Sequence, residues 1–278
     1  MSDVMSAPRG ELRLPVKQTI RLAYSSFALH GDDLVRASWL WMLLVGVTVA
    51  VAYNTSWQTA AIFLQLFAAA SIAVAWHRTL ILGERQVFLG SDATDRRLWR
   101  YILSAFLLFL LTFVPLLAMG GLGRWLILLA RSAGAGPLES VLMLPLRLAV
   151  LAATIMMTCR LTLVLPARAI GKQEPSFRES WAQTRGNTWR LFWGALTTSI
   201  PYFVIVQLFA PSLPGSPNAP DTVTTSADTG DIAKAVAYSL LYMLTLQTNV
   251  AFLSHAYQYF FSSRSLPQTA DVSDHAPA

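Results

Sequence analysis

The chain has a single cysteine, Cys159, and little charge: Asp, Glu, Lys and Arg make up 13% of its 278 residues, against about 25% in soluble domains. A lone cysteine excludes an intramolecular disulfide, so no oxidising compartment is implied. The 15 acidic residues all fall outside the apolar runs, with Glu139 and Asp231 at expected helix starts, where an anion suits the helix dipole. That placement argues against the intramembrane acid on which proton-coupled carriers usually rely. Walker, HExxH, GxSxG and EF-hand patterns are all missing, so no catalytic residue, metal or cofactor is expected. His77, Cys159 and His255 recur near the ends of three apolar runs in the manner of a ligand set. Arg78 and Arg160 beside them disfavour a cation there.

Apolar residues are abundant. They make up 54% of the chain, mean hydropathy is positive, and they gather in runs of roughly 17–25 residues, the length that crosses about 30 Å of hydrocarbon. The expected fold is all-α: a polytopic membrane protein with six transmembrane helices. The spans are placed at about 37–53, 57–77, 99–119, 139–161, 189–210 and 232–257. Pro115 lies within the third as a kink that buried neighbours can tolerate. The apolar piece Trp125 to Ala130 is too short to cross and is expected in the interface. Residues 1–15 read as a disordered N-terminal segment, 16–262 as the membrane domain, and 263–278 as a disordered tail. The first apolar run starts near Ser38, after a segment of mixed charge, so no cleavable signal is expected, although Ala50-Val51-Ala52 is a cleavage-like pattern.

Lys and Arg set the orientation. Seventeen of the 21 fall before the first span, after the second, after the fourth or in the tail. The other four are Arg124, Arg131, Arg147 and Lys234. By the positive-inside rule both termini are cytoplasmic, and the net charge of +6 reflects cytoplasmic loops rather than nucleic-acid binding. On that side lie two amphipathic stretches. Residues 16–30 carry Val16, Ile20, Tyr24 and Phe27 on one stripe. Residues 175–189 open with the capping-box spacing Ser176-x-x-Glu179. Both are expected as helices, either lying on the inner leaflet or packed on the bundle. Residues 212–231 form a polar outer loop rich in Pro, Gly, Ser and Thr.

The run VAWHRTLILGERQ (74–86) has a partner in MMTCRLTLVLPAR (156–168), which aligns Arg78 with Arg160. Further on, LWRYILSAF (98–106) matches TWRLFWGAL (188–196) and aligns Arg100 with Arg190 after an eight-residue insertion. The offset maps the second span onto the fourth, so a parallel repeat of helical hairpins is expected. An arginine at the membrane surface can snorkel toward phosphates while its stem stays apolar. Arg78, Arg160, Arg100 and Arg190 are thus candidate contacts for phospholipid headgroups or another anion. The alternatives are simple depth anchors, or ion pairs with Glu84, Glu174 or Glu179. Arg147 lies thirteen residues before Arg160, about 20 Å along a helix, and Gln65 stands at the matching distance from Arg78. A Gln65–Arg147 hydrogen bond between spans two and four, or snorkelling of Arg147 outward past Pro145, is expected ahead of a substrate site. Thr245, Gln247, Thr248, Asn249 and Ser254 in the last span read as interhelical hydrogen-bond partners.

AWHRTLILGE and RLTLVLPARAIGKQEPSFRESWAQTRGNTWRLF resemble uncharacterised bacterial six-span membrane proteins, which are similar to the membrane domain preceding the catalytic domain of some glycerophosphoryl diester phosphodiesterases. The likeness covers most of residues 15–262. In those enzymes the catalytic acids and histidines belong to a separate soluble barrel, and none is expected here, so the activity is not carried over. The resemblance implies a bacterial inner-membrane protein that handles lipids or anchors a partner. The leading expectation is a non-catalytic module binding membrane lipids, a partner membrane protein or a second copy of itself. A small-solute or lipid transporter stands second and a membrane-embedded lipid enzyme last.

Overall fold

The computed structural model describes residues 13–53, 57–84, 96–132, 136–209 and 229–261, and among these there are helices and no strands. The helices are α1 (Val16–Tyr53), α2 (Gln58–Leu82), α3 (Arg96–Ser132), α4 (Gly136–Leu161), α5 (Val164–Ala169), α6 (Phe177–Gln183), α7 (Thr188–Phe209) and α8 (Thr229–Phe261). Five stretches are long and apolar enough to cross a membrane: Val16–Ala52, Gln58–Leu82, Arg96–Trp125, Leu148–Ala169 and Ile232–Phe261. The expected fifth span falls on α7, a helix of 22 residues.

Several boundaries differ from those expected. The amphipathic stretch 16–30 is helical, as expected, and runs into the first span across a kink with no loop between them. The two parts join in a 38-residue helix whose one non-helical position is His30, at φ −126°, ψ 21°. Trp125 to Ala130 likewise continues α3 to Ser132, the Gly120-Gly121 pair being too weak a break to end it. The stretch 175–189 is not one helix. It stops at Gln183 and turns through Gly186, whose φ of +78° a side chain would resist. At the end of α4, Pro166 has no N–H to give residue 162. The helix therefore breaks at Thr162-Leu163 and restarts as α5. The last three residues of the expected loop 212–231 already belong to α8, and the rest of that loop and the tail from 262 lie outside the described residues.

α2 is the central helix. Its inward face is built from Ala61, Ala68, Ala69, Ala73 and Ala75, with Ile72, Trp76 and His77 among them. Acyl chains are as apolar as leucine, so burial in lipid does little to hold helices together, and small residues that allow close approach matter more. α8 packs most extensively on α1 and also contacts α2 and α7. α4 packs against α3 and α7. At the α7–α8 crossing, a methyl group on Gly194 would meet the ring of Phe252 at 2.1 Å. Only glycine fits there. α3 is the most peripheral, with Phe106, Phe109 and Leu117 exposed.

Hydrogen bonds complete the fastening. Thr248 Oγ1 donates to the Thr198 carbonyl at 2.7 Å, and Thr198 Oγ1 donates to Asn249 Oδ1 at 2.8 Å. Asn249 Nδ2 in turn donates to Ser199 Oγ at 3.1 Å. His77 Nδ1 lies 2.7 Å from Ser254 Oγ, and His255 Nε2 lies 2.9 Å from Ser26 Oγ. Thr248, Asn249 and Ser254 thus serve as interhelical partners. Among the described residues Thr245 bonds only carbonyls of its own helix, and Gln247 Nε2 donates to the Met243 carbonyl.

One end of the bundle gathers segments far apart in sequence. Leu14, at the close of the expected N-terminal segment, is fully buried. Its N–H donates to Asn187 Oδ1 at 2.9 Å. Tyr259 Oη donates to the Arg13 carbonyl at 3.0 Å, and Gln258 Nε2 to the Leu80 carbonyl at 2.9 Å. The basic segments around residues 13, 80 and 187 therefore share that end.

Candidate functional site

The four arginines singled out by the repeat do not share one environment. Arg78, one turn before the end of α2, reaches the carboxylate of Glu84, with Nε 2.9 Å and Nη2 2.6 Å from Oε2. Gly83 makes this return possible. It ends α2 in the left-handed conformation, at φ +67°, and its N–H bonds the Thr79 carbonyl, so that residue 84 folds back along the helix. The ion-pair alternative is the one that this arginine adopts.

Arg160, its repeat partner, is only 8% exposed. Its Nε donates to Thr184 Oγ1 at 3.2 Å and its Nη2 to the Trp181 carbonyl. The guanidinium lies 3.7 Å from the centre of the Trp181 ring, within the range of a cation–π contact. The backbone reciprocates, with Ser180 Oγ donating to the Arg160 carbonyl at 2.5 Å. Among the described residues no carboxylate pairs with it. The end of α4 is thereby clasped to α6.

α6 presents Trp181 and Thr184 because its own start is firmly set. Ser176 Oγ accepts from the Glu179 N–H at 3.3 Å, and the Ser176 N–H donates to Glu179 Oε2 at 2.6 Å. These reciprocal bonds are the capping box expected from the spacing. The Ser176 bonds hold the Glu179 carboxyl below the ordinary carboxylate range.

Arg190 Nη1 donates to the Leu14 carbonyl at 2.8 Å, so with Asn187 it grips both polar groups of that residue. Arg100 is half-buried on α3, with no protein partner among the described residues. Gln65 is half-buried on α2. The side chain of Arg147, its expected partner on α4, lies outside the described residues.

Two further features escaped the repeat. The first is a groove of about 690 Å³ between α4 and α7, lined by Leu148, Ala152 and Met156 on one wall and by Gly186, Trp189 and Phe192 on the other. Its sequence signal is the stripe 148, 152 and 156 at four-residue spacing, which continues to Arg160. The second is a set of buried polar atoms without a hydrogen-bond partner: Trp76 Nε1, His77 Nε2, Gln247 Oε1 and Ser38 Oγ. Among the described residues no three His, Cys, Asp or Glu come together to hold a metal ion.

No protein-family model matches the chain, and no curated protein or solved structure matches it.

Proposed function

We propose that this chain is a six-span module of a bacterial inner membrane, with both termini cytoplasmic, that binds phospholipid and carries out no chemistry of its own. α7, the fifth span in chain order, joins the five long apolar stretches to make six in this reading, and α5 and α6 lie on the cytoplasmic side. The observation that carries it is the gathering of the basic segments at one end of an apolar bundle. Hydrogen bonds from Arg190, Gln258 and Tyr259, and one accepted by Asn187, join residues 13, 14 and 80 there. Cations at that level attract anionic headgroups by about 1 kcal/mol each. The sequence resemblance of residues 75–84 and 160–192 to the membrane domain that precedes some glycerophosphoryl diester phosphodiesterases agrees with it. Arg100 is the headgroup contact of the repeat that meets lipid alone, Arg78 contributes as the basic half of its pair with Glu84, and Arg160 and Arg190 chiefly hold the bundle end together.

The test is native mass spectrometry of the full chain released from nanodiscs that contain anionic and zwitterionic phospholipid, wild type beside Arg78→Gln/Arg100→Gln. Wild type should keep anionic lipid in stoichiometric amount and the variant should keep less. Release of both without preferred lipid would overturn the reading. A second reading, a transporter, is favoured by the unpartnered buried atoms Gln247 Oε1 and His77 Nε2 on α8 and α2, which could line a polar path with Gln65 and Arg147. Solute uptake by proteoliposomes that is lost in Arg147→Ala would establish it.

A further inference from the structure

The groove between α4 and α7 has unlike ends. Along about 12 Å of α4 it is apolar, and the side chains beside its opening face away from the other helices. Leu148 is 55% exposed, Met156 39% and Trp189 69%. One turn beyond Met156 stands Arg160, nine-tenths buried. Its only bonds among the described residues are to the neutral oxygens of Thr184 and Trp181. Two of its five N–H groups are used in this way, and its charge is left unmatched. Arg185 is exposed on the turn that leads into the groove, next in sequence to the Thr184 that Arg160 bonds. The same turn begins α7, whose first N–H groups have no partner up the helix and carry the positive end of its dipole. The apolar slot, whose lining ends at Met156 and at Gly186 and Thr188, thus lies next to a cationic corner that no carboxylate pairs with among the described residues. A buried guanidinium without a counter-charge is costly, and a bound anion would relieve it.

Resting on the phospholipid-binding reading, we propose that this groove holds one acyl chain of an anionic phospholipid, with the phosphate seated among Arg160, Arg185 and the first turn of α7. The tail does not enter because it escapes water, since the bilayer already shelters it. It fills a slot that the helices leave open, and the cations select the headgroup. This is a specific site, distinct from the layer of lipid that coats every exposed apolar face.

The experiment uses the full chain in phosphatidylcholine nanodiscs doped with phosphatidylglycerol that bears a photoreactive diazirine on one acyl chain. Adducts are mapped by peptide mass spectrometry after irradiation. They should concentrate on residues 148–156 and 189–192 and stay sparse on the exposed face of α3 at Phe106 and Phe109. Ala152→Phe fills the slot from an exposed position and should abolish the groove adducts alone. Arg185→Gln should lower their yield about fivefold, the worth of one surface cation toward an anionic lipid, and should not change labelling by a phosphatidylcholine probe. Adducts spread evenly over α3, α4 and α7, or unchanged in Ala152→Phe, would overturn the proposal. If native mass spectra still show retained anionic lipid in that case, the groove assignment fails alone. If they show none, the phospholipid-binding reading fails with it.

Discussion

Replacing Arg160 by methionine keeps an unbranched apolar side chain and removes only the guanidinium. Three interactions go with it: two hydrogen bonds from a charged donor, to Thr184 and Trp181, and the stacking on Trp181 at 3.7 Å. Bonds to charged groups contribute about 1.5–3 kcal/mol each and a largely buried cation–π contact about 1–2 kcal/mol. Relief from burying an unmatched charge offsets part of this, so a net loss of about 3 kcal/mol is expected. The same change at Arg78 removes a pair whose carboxylate is 43% exposed, which makes about 0.5 kcal/mol the appropriate scale. Two arginines aligned by sequence should therefore differ several-fold in their effect on stability. The assay is equilibrium unfolding in mixed micelles titrated with a denaturing detergent, followed by circular dichroism and by tryptophan fluorescence. Arg160→Lys should fall between wild type and Arg160→Met, because an ammonium cannot lie flat on Trp181 while reaching Thr184. Equal small losses at both arginines would refute the clasp and return Arg160 to the role of a depth anchor.

Gly194→Ala should destabilise by about 1–3 kcal/mol, the cost of overpacking a tight site, and Phe252→Leu should rescue it in part; a neutral Gly194→Ala in the same titration would mean that the α7–α8 crossing is looser than described. Because the Glu179 carboxyl is held below its ordinary range, its cap should strengthen α6 at pH values above that range and lose this effect as acid protonates it. Amide exchange in residues 177–183 should accordingly be faster in Glu179→Gln than in wild type at neutral pH, with the gap closing in acid; a gap that widened on acidification would contradict the sign. In a Cys159→Ser background, Ser216→Cys should react with an impermeant maleimide from outside intact cells and Ser265→Cys only after lysis. The opposite pattern would invert the topology.

The helices were legible because apolar runs of crossing length leave few alternatives, and the cap at Ser176 was legible because its chemistry is local. The α8 hydroxyls were half legible. Thr248 and Asn249 reach α7 while Thr245 bonds its own helix, and residue type alone cannot separate these outcomes. Arg160 could be flagged by alignment with Arg78, but its partners lie on a short helix that only the fold brings beneath it. The Gly194–Phe252 contact joins residues 58 positions apart, and the grip of Asn187 on Leu14 joins residues 173 apart. No periodicity encodes such pairs. The break at Pro166 was readable in principle. It was hidden because the apolar pattern continues on both sides.

The grip on Leu14 also bears on how the chain is assembled as it leaves the ribosome. Segments emerge in order and helices insert one by one, yet the earliest described residues, Arg13 and Leu14, find their partners on α7 and at the far end of α8. α1 likewise has its broadest neighbour in α8, the last helix to emerge. Until that helix arrives, Ser26 lacks His255 and the α2 histidine lacks Ser254. The early helices must wait in the bilayer with polar groups uncovered. A nascent chain stalled before residue 229 should therefore depend on insertion chaperones and be prone to proteolysis. Completion of the last helix supplies the partners of Ser26, His77 and Arg13 at one stroke.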